Sequence, residues 1–306
     1  MAVTAAMVKE LREKSGAGMS ACKDALVEAS GDMERASEIL REKGLAAAAK
    51  KAGRVASEGL VFAQVSDDRK KGVVVEVNSE TDFVAKNQDF IDYVHQVAAQ
   101  AMGSKADTLD AFLAEKWQGG AESVQEVLTN KIDIIGENIG IRRFERYEAG
   151  ANGAIVQYIH GAGRVAVLME MDSATVNEKL IEAGKDLCMQ VAAMSPQFVS
   201  QVDVSEEFIA KEKEILVQQA INEGKPANVA EKVVEGRLKK NLKAICLLEQ
   251  EFVKDDDMTC AKYVETVGAA LGTKVAVTRF VRYETGEGIE KKEENFAEEV
   301  SKAMGV

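Results

Sequence analysis

The chain repeats itself, and the repeat limits what its middle can fold into. Gly59-Leu-Val-Phe-Ala-Gln-Val65, a turn at Asp67–Lys71 and Val73-Val-Val-Glu-Val77 read as a two-stranded hairpin. Gly153-Ala-Ile-Val-Gln-Tyr-Ile159, a turn at Gly161–Gly163 and Val165-Ala-Val-Leu-Met169 read as another. Each is followed by a helical pattern, about 82–102 in the first copy and 175–194 in the second, containing Gln96-Val-Ala-Ala99 and Gln190-Val-Ala-Ala193. The offset of 94 residues holds from hairpin through helix. A third strand closes each copy, Ile139–Glu148 and Val275–Glu284. There Arg143-Phe144 and Arg146-Tyr147-Glu148 match Arg279-Phe280 and Arg282-Tyr283-Glu284 at an offset of 136. The expected fold class is α+β, with a core of two related subdomains built on antiparallel sheets, residues 58–150 and residues 151–204 joined by 250–288.

Because the offset grows by 42, the second copy has gained that many residues between its helix and its last strand. Residues 205–249 supply them as two helical arms on either side of Asn222-Glu-Gly-Lys-Pro226. Pro226 suits a first helical turn and Gly224 suits the end of the helix before it. Ala230, Val234, Leu238, Leu242 and Ile245 form an apolar stripe in one arm, and Ile209, Leu216 and Ala220 offer one in the other. Two such stripes pack as an inserted antiparallel helical hairpin.

Ahead of the repeat, residues 1–44 follow the three-to-four spacing of amphipathic helices in three pieces, broken at Gly16-Ala-Gly18 and Ser30-Gly-Asp32. Asp32 is placed to cap the third helix. The alanine-rich stretch that follows, within 45–57, reads as a linker of helical character, with Lys50-Lys51 a solvated face.

The chemistry that composition permits is narrow. Cys22, Cys188, Cys246 and Cys260 are widely separated, with only His95 and His160 to join them, so neither a metal site nor a disulfide framework is expected. No phosphate-cradling loop and no nucleophile motif occurs, and the chain is read as no enzyme. The net charge is −12; residues 1–57 hold ten Lys and Arg against eight Asp and Glu, so a +2 head precedes a −14 body. That balance argues against a large nucleic-acid footprint. The chain has no run of about 18 apolar residues and no apolar stretch near its start, so neither a membrane nor an export signal is expected.

Ser79-Glu-Thr-Asp-Phe-Val-Ala-Lys86, where strand meets helix in the first copy, is the segment most open to a functional reading. The second copy has Thr175-Val-Asn177 opposite Thr81-Asp-Phe83, so the shared scaffold does not demand the Asp-Phe pair. Two readings stay open from the residues. In one, Asp82 favours the helix N-terminus and Phe83, one heptad before Phe90, joins the core; in the other the pair serves function. His160, beside Gly161, likewise fits a turn residue.

These residues also carry a family resemblance. Val8–Met19 with Cys22-Lys23 and Ala25-Leu26 resembles the first signature of the bacterial translation elongation factor Ts family, and Glu76–Lys86 resembles the second. Ile135-Gly-Glu-Asn-Ile139, His160-Gly161, Gly224–Pro226, Val234–Arg237 and Gly286–Gly288 match in order. The resemblance implies a cytoplasmic nucleotide exchange factor for elongation factor Tu, the GTPase that delivers aminoacyl-tRNA to the ribosome. It implies binding to that partner in its GDP-bound and nucleotide-free forms, with no cofactor and no direct nucleic-acid contact. A homodimer and a heterotetramer are both compatible with it. By the same resemblance the head is a ubiquitin-associated-like module, 205–249 is a coiled coil, and 289–306 is a C-terminal helical module. Asp82 and Phe83 then insert beside the partner's Mg²⁺ and phosphate site, while Lys23, Ile135, Gly136, His160, Phe252 and Val253 match positions of partner contact. The residues taken alone also fit a non-catalytic binding scaffold with a recruiting head.

Overall fold

A computed structural model of the chain describes residues 3–224 and 227–290. Pro226 and most of the C-terminal segment 289–306 lie outside the described residues. The chain divides into two compact units, Met1–Phe62 with Val75–Phe144 and Glu284–Val306, and Ala63–Val74 with Glu145–Tyr283.

The first unit begins with three helices, α1 (Ala5–Ser15), α2 (Met19–Glu28) and α3 (Met33–Lys51). Thr4 and Asp32 cap α1 and α3 through their side chains, and Gly16 closes α1 in the left-handed conformation. Val8, Leu11, Cys22, Ala25, Leu26, Ala36, Ile39 and Leu40 form a closed small core among them. The helical character expected within 45–57 is present as far as Lys51, since α3 runs straight through Gly44 and ends at the Ala52 cap. The alanines favour helix, and the far half of α3 packs on the helix Val124–Ile135 that precedes the third strand.

The strands β1 (Glu58–Val65) and β2 (Lys71–Ser79) form the first hairpin; α4 (Asp82–Ala85), α5 (Gln88–Gly103), α6 (Leu109–Ala114) and α7 (Val124–Ile135) follow, and β3 (Gly140–Glu148) completes a sheet of order β1-β2-β3. On α5, Phe90, Tyr93, Val94, Val97, Ala98 and Ala101 are buried along one stripe. Phe62 of β1 stacks on His95 of α5 with ring centroids 4.1 Å apart, and Phe112 of α6 meets Phe144 of β3 at 4.8 Å. Between α3 and α7, Lys51 Nζ donates to the Ile132 carbonyl at 3.1 Å and Arg41 pairs with Glu126 at 3.5 Å. A Cβ on Gly44 would stand 3.8 Å from that of Asp133, so a small residue lets the two helices lie close.

In the second unit β4 (Gly153–His160) and β5 (Val165–Ser173) pair antiparallel, with Gly153 opposite Asp172 and His160 opposite Val165. The helix α8 (Glu178–Met194) follows, then α9 (Glu206–Asn222) and α10 (Ala227–Ile245), the hairpin β6 (Glu251–Phe252) and β7 (Asp255–Thr259), α11 (Cys260–Leu271) and β8 (Val275–Glu284), which joins the sheet as β4-β5-β8. Val156, Val167, Met169 and Met171 of the sheet pack on Leu180, Leu187 and Val191 of α8 and Val264 of α11. The helical pair α9–α10 buries Leu216, Ala220 and Val234 with Leu238 against them, and Arg237 grips Glu223 with two hydrogen bonds of 2.9 and 2.8 Å across the turn. Both arms expected of the insertion are therefore helical.

The repeat extends further than the three strands. The helix α7 and the helix α11 start at 124 and 260 and end at 135 and 271, both at the offset of 136 that relates the third strands.

Candidate functional site

The site is built where β2 ends. Instead of one helix over 82–102, the chain makes a single turn, α4, and restarts at α5, so the expectation of one helix is corrected. The break falls at Lys86-Asn87, because Asn87 caps α5 by accepting the Asp89 N–H at 2.8 Å through its side chain. Phe83 is thereby removed from the register of Phe90. Phe90 is fully buried and Phe83 is 82% exposed, the most exposed aromatic side chain among the large hydrophobics that reach solvent in the described residues. Core packing of Phe83, one of the two readings left open by the residues, does not occur. Asp82, next to it, is exposed and pairs with Lys86 at 2.6 Å; that hydrogen bond holds its carboxyl below the usual range.

A second segment fixes this turn. The helix α7 ends at Ile135, and Gly136 takes φ 88°, a left-handed conformation that glycine adopts without steric cost; its N–H caps the Ile132 carbonyl at 3.0 Å. The reversal delivers the Glu137 carboxylate to the residues before α4. Its Oε2 accepts the backbone N–H groups of Glu80 and Thr81 at 3.1 and 3.0 Å, and its Oε1 accepts the Thr81 hydroxyl at 2.6 Å. Thr81 Oγ1 in turn caps α4 by accepting the Val84 N–H at 3.3 Å. In the opposite sense Glu80 accepts the backbone N–H of Asn138, whose side-chain amide donates to the Arg54 carbonyl at 2.8 Å. Asp82-Phe83 and Ile135-Gly136, 53 residues apart in sequence, thus belong to one laced structure.

Glu80, Thr81 and Glu137 were missed as functional candidates. The signal is present, since each lies inside one of the two motifs, within two residues of Asp82 or Gly136. What the sequence could not give is that the two motifs bond to each other.

The remaining candidates are placed separately. Lys23 is exposed on α2, between Met19 and Val27, which also reach solvent on the same helix. His160, in the other unit, is exposed at the end of β4, with its Nδ1 3.1 Å from the Tyr158 hydroxyl. Phe252 is a correction. It is 3% exposed and stacks on Tyr263 with ring centroids 4.2 Å apart, so it is a core residue with no surface to offer a partner. Its aromatic bulk is used to seat the β6–β7 hairpin on α11; Val253, the next residue, is 48% exposed.

Among the described residues, the grouping of three acidic side chains within 4.8 Å of one another is Asp255, Asp256 and Asp257, largely exposed along β7. The four cysteines are free and buried. No helix among the described residues is long and apolar enough to cross a membrane.

The fold and its surface define a class first: a duplicated α+β protein with a three-helix head, an inserted helical pair and an exposed aromatic on a braced turn. A profile of the family described as Elongation factor TS matches residues 80–287. Elongation factor Ts of Clostridium perfringens (strain 13 / Type A) is 54% identical over 303 residues, covering 99% of both chains. The same-named proteins of Clostridioides difficile (strain 630) and Clostridium acetobutylicum are 53% and 50% identical over 302 residues, each covering 99% of this chain. The chain belongs to the elongation factor Ts family.

Proposed function

We infer that this chain is a guanine nucleotide exchange factor for elongation factor Tu in translation elongation, and that Asp82 and Phe83 enter beside the partner's Mg²⁺ and phosphate site. The observation that carries this reading is an 82%-exposed phenylalanine held on a braced single turn at a place the repeat does not require. An apolar ring left in water costs free energy that contact with a partner recovers.

The mechanism needs no covalent chemistry on this chain. If binding the factor lowers the partner's affinity for GDP, GDP lowers the partner's affinity for the factor by the same ratio. A ternary complex then forms in which both ligands are weakened, and GDP leaves. Mg²⁺ is the largest positive charge beside the phosphates, so loosening it speeds release. Asp82 brings a negative charge and Phe83 a bulky, uncharged apolar ring to that neighbourhood.

Lys23, Ile135, Gly136, His160 and Val253 are the further contacts in this proposal, all with solvent-reaching positions. The three-helix head is read as ubiquitin-associated-like, and α9–α10 as a coiled coil. The protein is placed in the cytoplasm with elongation factor Tu, in its GDP-bound and nucleotide-free forms. Mixing it with elongation factor Tu loaded with fluorescent GDP tests the reading: dissociation accelerates with added protein, whereas an unchanged rate favours a passive scaffold.

A further inference from the structure

We propose that Glu137 is a positioning residue for the Asp82–Phe83 turn, and that exchange depends on its carboxylate although it lies outside the residues assigned to partner contact. This rests on the exchange-factor reading and extends it to the part of the fold that aims the wedge.

The case begins with the size of α4. Four residues make one turn, and a helix that short does not hold itself in water, because nucleation fixes several dihedrals for one hydrogen bond. Packing supplies little, since Ala85 is the only buried residue of the four. Phe83 contributes nothing, being in solvent. The turn is therefore held from its N-terminal end, and there the Glu137 carboxylate makes three hydrogen bonds with two adjacent residues.

Each bond has a distinct effect. The two N–H groups on Oε2 fix the peptide planes entering α4, and a carboxylate at a helix N-terminus is favoured by the helix dipole. The 2.6 Å bond from the Thr81 hydroxyl to Oε1 points its hydrogen at Glu137, which leaves a lone pair for the Val84 N–H. Charge-assisted bonds of this kind are about twice as strong as neutral ones. Thr81 therefore caps the helix because Glu137 orients it. The clamp is anchored in turn by Gly136 and by the return bond from the Asn138 N–H to Glu80. Without the carboxylate, α4 keeps its sequence and loses its bearing, so Phe83 samples directions that miss the partner's site.

Five proteins test this: wild type, Glu137→Ala, Glu137→Gln, Phe83→Ala and the double variant that combines Glu137→Ala with Phe83→Ala. Hydrogen exchange on the free chains reads the clamp itself. Glu137→Ala is expected to speed exchange at the Glu80, Thr81 and Val84 amides by about tenfold or more, with the global melting temperature little changed. In stimulated GDP release from elongation factor Tu, Glu137→Ala is expected to lower the rate at saturating factor by roughly tenfold, the loss of about one charge-assisted bond. Glu137→Gln, which keeps a neutral acceptor for the two N–H groups but sets an NH2 where Oε1 accepts the Thr81 hydroxyl, restores only part of it. Added to Phe83→Ala, Glu137→Ala costs nothing further, because it acts through that ring. Wild-type release by Glu137→Ala, or losses in the double variant that multiply, overturn the proposal. So does unchanged amide exchange, which judges the clamp without the partner. A wild type that leaves GDP release unchanged while Glu137→Ala loosens those amides sinks the exchange-factor reading and, with it, the link to exchange, leaving the clamp as geometry.

Discussion

Arg279 donates from Nε to Glu170 Oε2 at 2.8 Å, and this pair is the second copy of one that Arg143 makes with Glu76 at 2.6 Å. The acidic partners are related by the offset of 94 and the basic ones by 136, so the duplicated core keeps its central ion pair as well as its strands. The two sites have diverged in depth. Glu76 is fully buried and also accepts from Arg142 at 3.0 Å, from Asn78 at 3.1 Å and from the Gly286 N–H at 2.8 Å. Glu170 accepts the Gly150 N–H at 3.1 Å.

Glu76 is accordingly a stability residue with a pH signature. Burial alone raises its pKa, yet the bonds from Gly286, Arg143, Asn78 and Arg142 outweigh it and hold the carboxyl below the usual range. A depressed folded pKa gives stability that is complete above the ordinary glutamate value and is lost as pH falls through that value toward the folded one. Glu76→Ala should lower unfolding free energy by about 3 kcal/mol at neutral pH, since it removes the buried acceptor shared by Arg142, Arg143, Asn78 and the Gly286 N–H. Denaturant melts across an acid series should show the gap to wild type narrowing below the usual carboxylate range; a gap constant with pH speaks against this role.

Gly286 is held to glycine twice over. Its φ is 71°, and a Cβ there would lie 2.1 Å from the Ser57 carbonyl oxygen. Backbone, not a yielding side-chain tip, blocks the space. Gly286→Ala should cost about 2 kcal/mol or more through strain and overlap, and it should disturb the bond to Glu76. A thermal melt within a degree of wild type would show that the segment after β8 is free to move aside.

The thiols should be silent in the folded chain. Burial pushes Cys246 up to about 11 and Cys260 up to about 12, and raises Cys188 as well. Thiolate is the reactive form, so a disulfide reagent at neutral pH should titrate none of the four within minutes and all four after denaturation. A thiol that reacts quickly in the native state would contradict the burial.

Much of the fold was legible because periodicity and repetition are local or self-checking signals. The strands near 139–148 and 275–284 appear in the structure close to their expected bounds, since matching Arg-Phe and Arg-Tyr-Glu fixed their register. The three head helices were likewise marked by Gly16 and Asp32. Three features were not legible. The break at Asn87 depends on one side chain outcompeting a continuing helix, and the apolar spacing of Phe83 and Phe90 concealed it. The helical character after Gly44 was legible from the alanines, but its continuity with the third head helix was not, because it depends on the packing of α3 against α7. Phe252 and Val253 are adjacent in sequence and opposite in burial, a distinction set by the β6–β7 turn and the Tyr263 ring. At the site, the Asp-Phe pair was legible as an unrepeated feature, whereas the Glu137 bonds span 56 residues and have no local trace.

Phe83 carries the central claim, and its exposure makes the test clean. Removing a ring that packs against nothing should leave stability within about 0.5 kcal/mol of wild type, so any functional loss is a loss of contact. Stopped-flow release of fluorescent GDP from elongation factor Tu, with wild type and Phe83→Ala at matched concentrations, measures that directly. The expected result is accelerated release by wild type and release slowed by about tenfold or more in the variant, with equal melting temperatures. Release by Phe83→Ala at the wild-type rate would contradict the wedge role.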